Sequence, residues 1–340
     1  MLEELRDMLT RLCAAPGVSG NEEDAAKAAT SEFEPYAAVT RDTLGSMTAR
    51  MGSPDAEKRI LLDAHIDQIG LIVTGIGKSG FLHVDSCGGA DCRVLPGTPV
   101  TVYGTEPICG VVCCTPPHLA QSGDEEKVEA VDRMSVDVGL SRKDAEKLVH
   151  PGDRVLFTAE PRALLGTRFT SPGLDNRASV AALVRCAQLL SGEDLKCSVS
   201  FQCSTREEVG GQGAKTAAFT ADPTQAIVVD VSFAVQPGVQ PEKSHPLGGG
   251  PMIGFAPILN RNMSKTLVSL AEKRNMPYKY DVMGNSTGTN ADTVAVTRSG
   301  VETGLISIPL RNMHTNAEIV DLRDIENTAQ LLAQYIREAE

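Results

Sequence analysis

The chain has 340 residues, 41% of them apolar, and a formal net charge of −12. Its length exceeds one ordinary core and predicts two domains, or one domain carrying an insert. The acidic balance argues against nucleic acid and anionic membranes as partners, and no apolar run reaches the roughly 18–20 residues that a membrane span needs.

Leu2, Leu5, Leu9 and Leu12 recur at helical spacing and predict an N-terminal helix. This start mixes acids with leucines and lacks the basic region and apolar stretch of a signal peptide, so a cytoplasmic protein is expected. Ser19-Gly20-Asn21-Glu22 has the form of a capping box, and a second helix is expected after Gly20. Ile60–His65 (ILLDAH) reads as an apolar strand that ends in chemistry. From Ile69 to Phe157 the texture changes. GLIVTGI, TPVTVYG, GVVCC and DRVLFTA read as strands punctuated by Gly and Pro, and only DAEKLV at 144–149 reads as a helix. A β-rich module of about 90 residues is too large for a loop and reads as an inserted domain. The nine cysteines show no CxxC pair and no zinc-finger spacing, and most have apolar neighbours, which favours buried thiols over disulfides.

Beyond the module, helices and strands alternate. Asp175–Leu190, Gly213–Phe219, Ser264–Lys273 and Leu322–Ile336 read as helices. Ser198–Cys203, Ala226–Val231 and Leu305–Ile308 read as strands. This order predicts an α/β fold with a mostly parallel sheet covered on both faces.

Five places carry chemistry, each at a strand end or helix start, where an α/β sheet presents its ligands. In Asp63-Ala64-His65-Ile66-Asp67, strand alternation puts His65 and Asp67 on one face, and a His with a nearby carboxylate suits a metal ligand and its supporting partner. Asp175, in Leu174-Asp175-Asn176-Arg177, reads as a helix N-cap or as a carboxylate bridging two ions at a helix start. Glu207 and Glu208 follow a buried strand and precede two glycines. Adjacent side chains diverge, so one can ligate metal while the other faces water. Asp230 nearly closes the apolar AIVVDV and needs a hydrogen-bonded turn or a cation. His314 lies just past LISIP, whereas His83, His118, His150 and His245 read as structural. Two His and three carboxylates suit Zn²⁺ or Co²⁺, with Mn²⁺ also compatible, and suffice for two ions if one carboxylate bridges.

At these residues the sequence resembles the M42 family of metallo-aminopeptidases, the tetrahedral aminopeptidases also labelled glutamyl aminopeptidase or endoglucanase M. The resemblance runs through AHIDQIG, SCGGAD, TPPH, DVG, PGD, LDNRA, REEVGGQGA, VVDV, GGGPMI and RNMHTNAEIVDLRDIENTAQLL, in the family's order and at its spacing. It implies that His65 and Asp230 hold one ion, Glu208 and His314 hold the other, and Asp175 bridges them. It also implies that Glu207 is the general base and that Asp67 orients His65. The implied fold is an α/β/α peptidase domain (1–67 and 163–340) with an inserted β-barrel-like or PDZ-like dimerisation domain (68–162). The implied partners are short peptides and other copies of the chain, in dimers and twelve-subunit tetrahedra. Gln68 and Asn290 depart from the family's usual Glu and Asp, and Asn176 is a common variant of a second Asp. The expected reaction is removal of N-terminal residues by a water held between two ions. A deacylase on the same scaffold and a catalytically silent assembly protein are the alternatives. The absence of Trp argues against a sugar-stacking glycosidase groove.

Overall fold

The structure, a computed structural model, describes residues 1–119 and 127–339. Helices α1 (Leu2–Ala14) and α2 (Glu23–Phe33) precede strands β1 (Ala38–Arg41), β2 (Met47–Gly52) and β3 (Arg59–His65). Six short strands follow: β4 (Gly70–Ile76), β5 (Leu82–Cys87), β6 (Pro99–Tyr103), β7 (Pro107–Cys113), β8 (Ser135–Asp137) and, after α3 (Arg142–Leu148), β9 (Arg154–Phe157). The hairpin β10 (Arg162–Ala163) and β11 (Arg168–Ser171) leads into α4 (Leu174–Leu190), β12 (Ser198–Ser204), α5 (Gln212–Ala221) and β13 (Gln225–Phe233). The chain ends with β14 (Met252–Phe255), α6 (Arg261–Lys273), β15 (Lys279–Val282), α7 (Ala291–Val294), β16 (Glu302–Leu310), β17 (Glu318–Asp321) and α8 (Leu322–Glu338).

The main sheet has eight strands in the order β1-β2-β12-β3-β13-β16-β14-β15. Its four central strands, β12, β3, β13 and β16, run parallel. The flanks are mixed: β2 and β14 are antiparallel to their inner neighbours. β14 and β15 at the edge are again parallel, so four of the seven pairings are parallel, as a mostly parallel sheet requires. The centre is where both faces are covered, as parallel strands require. Ile60, Leu62 and Ala64 of β3 join the large core under α1, α2, α4 and α8, while Leu61 joins the smaller core with Ala214 of α5 and Val294 of α7. Two buried faces explain why ILLDAH reads as a continuous apolar run.

Strands β4-β5-β8-β7-β6-β9 close into a barrel. Its interior takes alternate residues, including Leu71 and Val73, Leu82 and Val84, and Val100 and Val102, the period of two expected of strands with one buried face. Residues 120–126 of the expected insert lie outside the described residues.

Two local expectations are corrected. Helix α2 starts at Glu23, without a side-chain cap at Glu22. The capping box fails because the Ser19 hydroxyl donates instead to the Asp67 carboxylate at 2.6 Å, and Glu22 accepts from the Gly20 N–H at 2.6 Å. Asp175 does not cap α4 either. Gly173 precedes the helix in the left-handed region, and Asp175 and Asn176 are non-helical, so the regular turns begin at Arg177.

Candidate metal centre

The central parallel strands end together, and the chemistry collects at that edge. His65 closes β3, opposite Ser204 of β12, and Glu207 and Glu208 follow Ser204 within four residues. The ladder between β3 and β13 ends at Asp63 and Val228. Two residues further on, His65 and Asp230 leave it side by side, with Nε2 to Oδ1 at 3.8 Å. His314 follows the end of β16. Ligands outside the carboxyl ends of parallel strands are the rule in such sheets.

His65, Asp175 and Asp230 can each offer a donor atom, all within 4.8 Å of one another, and Asp175, Glu208 and His314 form a second such group. Asp175 belongs to both. Its Oδ1 lies 3.2 Å from His65 Nε2 and its Oδ2 lies 3.5 Å from His314 Nε2, so one carboxylate faces both imidazoles with different oxygens. Glu208 Oε2 is 3.5 Å from His314 Nε2. Glu207 belongs to neither group, and its Oε2 stands 4.0 Å from His65 Nε2.

The far nitrogens of both imidazoles meet main-chain carbonyls. His65 Nδ1 is 3.0 Å from the Asp67 carbonyl and 3.5 Å from the Asp67 carboxylate. His314 Nδ1 is 2.9 Å from the Gly89 carbonyl. A carbonyl only accepts, so each Nδ1 carries a proton, which leaves each Nε2, facing the acidic cluster, as the nitrogen that can ligate. Asp67 thus reaches His65 through its main chain. Its carboxylate accepts from Ser19 Oγ, Glu207 N (2.9 Å) and Glu208 N (3.2 Å), which fixes the turn bearing the two glutamates.

The charges do not balance within the protein. Burial, reinforced by Asp175, pushes Glu208 well above the usual carboxylate range, and burial does the same to Asp230. Glu207 is also raised, first by burial. Burial opposes ionisation of Asp175 too, but His314 and His65 carry it below its ordinary value. Burial disfavours charge on His65, yet Asp175 and Asp67 hold its proton well above the normal imidazole range. Buried carboxylates that repel one another lack positive charge, and two His with three carboxylates is a donor set that divalent cations complete. The residues present fit metal ions.

Other supports carried no sequence signal of their own. Glu318, buried, accepts from Asp175 N at 3.0 Å and His314 N at 2.9 Å, tying the shared carboxylate to the second imidazole. Arg177, fully buried, donates to the carbonyls of Ile66, Leu12 and Ala15 and so braces the turn after His65. Gly89 lies in SCGGAD, and a Cβ there would sit 2.9 Å from His314 Nδ1, so only glycine lets this barrel loop reach the imidazole. His314 and Arg206 both have positive φ, 63° and 60°, strain of the kind that collects at functional sites.

The five ligand candidates and Glu207 line a cleft of about 480 Å³, completed by Val231–Phe233, Thr287–Thr289 and Met313. Asp67 does not line it. Gln68 and Asn290 are buried behind it. Asn290 Nδ2 donates to Asp63 and to Ser204 Oγ, both at 2.9 Å. His83, His118, His150 and His245 join no candidate metal group among the described residues. Among those residues no helix is long and apolar enough to cross a membrane.

The arrangement has relatives throughout its length. The lysyl aminopeptidase of Pyrococcus furiosus is 32% identical over 343 residues, covering 98% of this chain and 96% of that one. The crystal structure of a TET aminopeptidase from a marine sediment thaumarchaeon superimposes with a TM-score of 0.94 at 27% identity, covering 99% of this chain and 97% of its own. The Pyrococcus horikoshii TET1 peptidase, which can assemble into a tetrahedron or a large octahedral shell, matches with a TM-score of 0.85 at 30% identity, over 98% and 99% of the two chains. The profile of the M42 glutamyl aminopeptidases matches residues 45–331, and the chain belongs to that family, whose members are hydrolases of peptide bonds.

Proposed function

We propose that this aminopeptidase works with two divalent ions, His65 and Asp230 holding one, Glu208 and His314 the other, and Asp175 shared between them. The observation that carries this reading is the split use of Asp175, whose two oxygens face the Nε2 atoms of two imidazoles that are turned by Nδ1–H to main-chain carbonyls. Bound there, Zn²⁺ or Co²⁺, with Mn²⁺ also compatible, supplies Lewis acidity toward the peptide carbonyl and makes water more acidic. Glu207 takes the proton of the attacking water and returns it to the leaving amine. Its carboxylate lies beside His65 but outside both donor groups, which leaves it free for both proton transfers. Asp67 and Glu318 hold the ligand-bearing turns through their main-chain hydrogen bonds. The substrates are short peptides with a free N-terminus. The barrel serves self-association, through dimers to a larger closed shell of the kind formed by the TET1 peptidase, and the compartment is the cytoplasm.

The test separates chemistry from binding. Glu207→Gln is expected to lower kcat by about 10²–10⁴-fold with metal content unchanged, whereas Asp175→Ala is expected to lower metal content. Wild-type turnover in Glu207→Gln removes that residue from the base role.

A further inference from the structure

Among the described residues, the cleft wall beyond the donor set and Glu207 holds no charged side chain. It consists of Val231, Ser232 and Phe233 at the end of β13, the Thr287–Thr289 turn, and Met313. The nearby charged groups are engaged elsewhere. The Asp281 carboxylate hydrogen-bonds Ser232 from behind the wall. Asp292 accepts from the Thr287 and Gly288 N–H groups at 3.0 and 3.2 Å. Lys279 Nζ donates to the carbonyls of Pro241 and Ser244, and Arg311 Nε to that of Val235. Phe233 is 44% exposed although it closes a buried strand, so its ring presents an unpartnered apolar surface. It stands three residues beyond Asp230, and Met313 immediately precedes His314, so each half of the donor set has an apolar neighbour in the cleft.

We infer that the substrate's N-terminal residue carries an uncharged, apolar side chain of the leucine or methionine class, and that Phe233 and Met313 select it. The inference rests on the aminopeptidase reading and deepens it. A lysyl ammonium would enter this wall without a counter-charge, which is costly in a partly desolvated site. A glutamyl carboxylate would meet the same lack of a counter-charge. A leucyl or methionyl side chain removes apolar surface from water on both partners, and a thioether wall adapts to either shape. Selection by an uncharged wall separates this chain from relatives named for lysyl and glutamyl activity.

The experiment uses the full chain loaded with Co²⁺ or Zn²⁺ and p-nitroanilides of Leu, Met, Lys and Glu with free amines. The kcat/KM for Leu and Met is expected to exceed that for Lys and Glu by at least about tenfold. Phe233→Ala is expected to raise KM for the leucyl amide more than it lowers kcat, as loss of uniform binding does. Phe233→Asp is expected to raise the lysyl-to-leucyl ratio by at least about tenfold. A lysyl or glutamyl preference in the wild type overturns the inference, and a lysyl preference abolished by Asp281→Asn assigns the selection to Asp281. Release from none of the amides overturns the aminopeptidase reading instead. The pocket is then decided by calorimetry of Leu-Gly-Gly against Lys-Gly-Gly on Glu207→Gln: tighter leucyl binding supports the inference, and equal or tighter lysyl binding overturns it.

Discussion

Asn290 shows how a buried amide acquires a physical reason. Asp63 is wholly buried, and burial pushes its carboxyl up to about 6 despite hydrogen bonds from Ser204, Asn290 and Gln202. The Asn290 amide donates to it, whereas an aspartate there would set two carboxylates face to face. Asn290→Asp is therefore expected to destabilise the fold by about 2–4 kcal/mol at pH 7. One of the two acids must then keep its proton, so its folded pKa lies above its unfolded value. Stability consequently falls as pH rises through the range between them, and part of the loss is recovered at pH 5. Thermal melts at the two pH values read this directly. The five donor candidates, which the structure brings together, were legible in the sequence because each is a His or acid just past a strand or at a helix start. Asn290, Ser19 and Glu318 were not, because their roles are hydrogen bonds to Asp63, Asp67 and the Asp175 main chain, 227, 48 and 143 residues away.

Among the elements, the amphipathic helices were plain: α1 buries Leu5, Leu9 and Leu12, and α8 buries Leu322, Ile325, Ala329, Leu332 and Ile336, at three- and four-residue spacing. The start of α4 was not. Its Ser-Pro-Gly-Leu-Asp prefix has the composition of a cap, yet Asp175 leaves the helix to face both imidazoles. Strand β8 has three residues and β10 has two, too short for any periodicity, and they exist only through their neighbours. The glycine run GGGPMI gains its meaning from α8. Asp324, in the first turn of α8, accepts from the N–H groups of Gly248 and Gly250 at 2.7 and 2.8 Å. Burial raises Asp324 to about 7. Its folded pKa thus exceeds the unfolded value, and its contribution to stability falls as pH rises from about 4 to 7, at up to about 1.4 kcal/mol per pH unit. Asp324→Asn is expected to remove that slope. Denaturant titrations at pH 5 and 7 measure it, and an unchanged difference between the two contradicts the assignment.

At the scale of the molecule, the barrel and the catalytic cluster share one junction. The chain leaves for the barrel just after His65 and Asp67, and after β9 it reaches Asp175 through the β10–β11 hairpin. On the way, the barrel loop carrying Gly89 reaches back to His314, and Arg154 of β9 donates to the Ser19 carbonyl at 3.0 Å. An insert of this size was visible in the sequence as a change of texture. Its closure into a barrel came only from the family resemblance, because pairings such as β4 with β9 depend on register between segments far apart in the chain. The proposed assembly predicts that light scattering coupled to size exclusion yields a dimer or a twelve-chain particle at micromolar concentration, and a monomer throughout contradicts it.

The central claim is that the cluster around Asp175 is a metal-dependent site acting on free N-termini. Hydrolysis of aminoacyl-p-nitroanilides, free and N-acylated, by chelator-treated protein before and after adding Co²⁺ or Zn²⁺ tests it most directly. The account predicts no release after chelation, and release restored by metal for free amines but not for N-acylated ones. Undiminished release after complete metal removal, or restored activity confined to the N-acylated substrates, would contradict it.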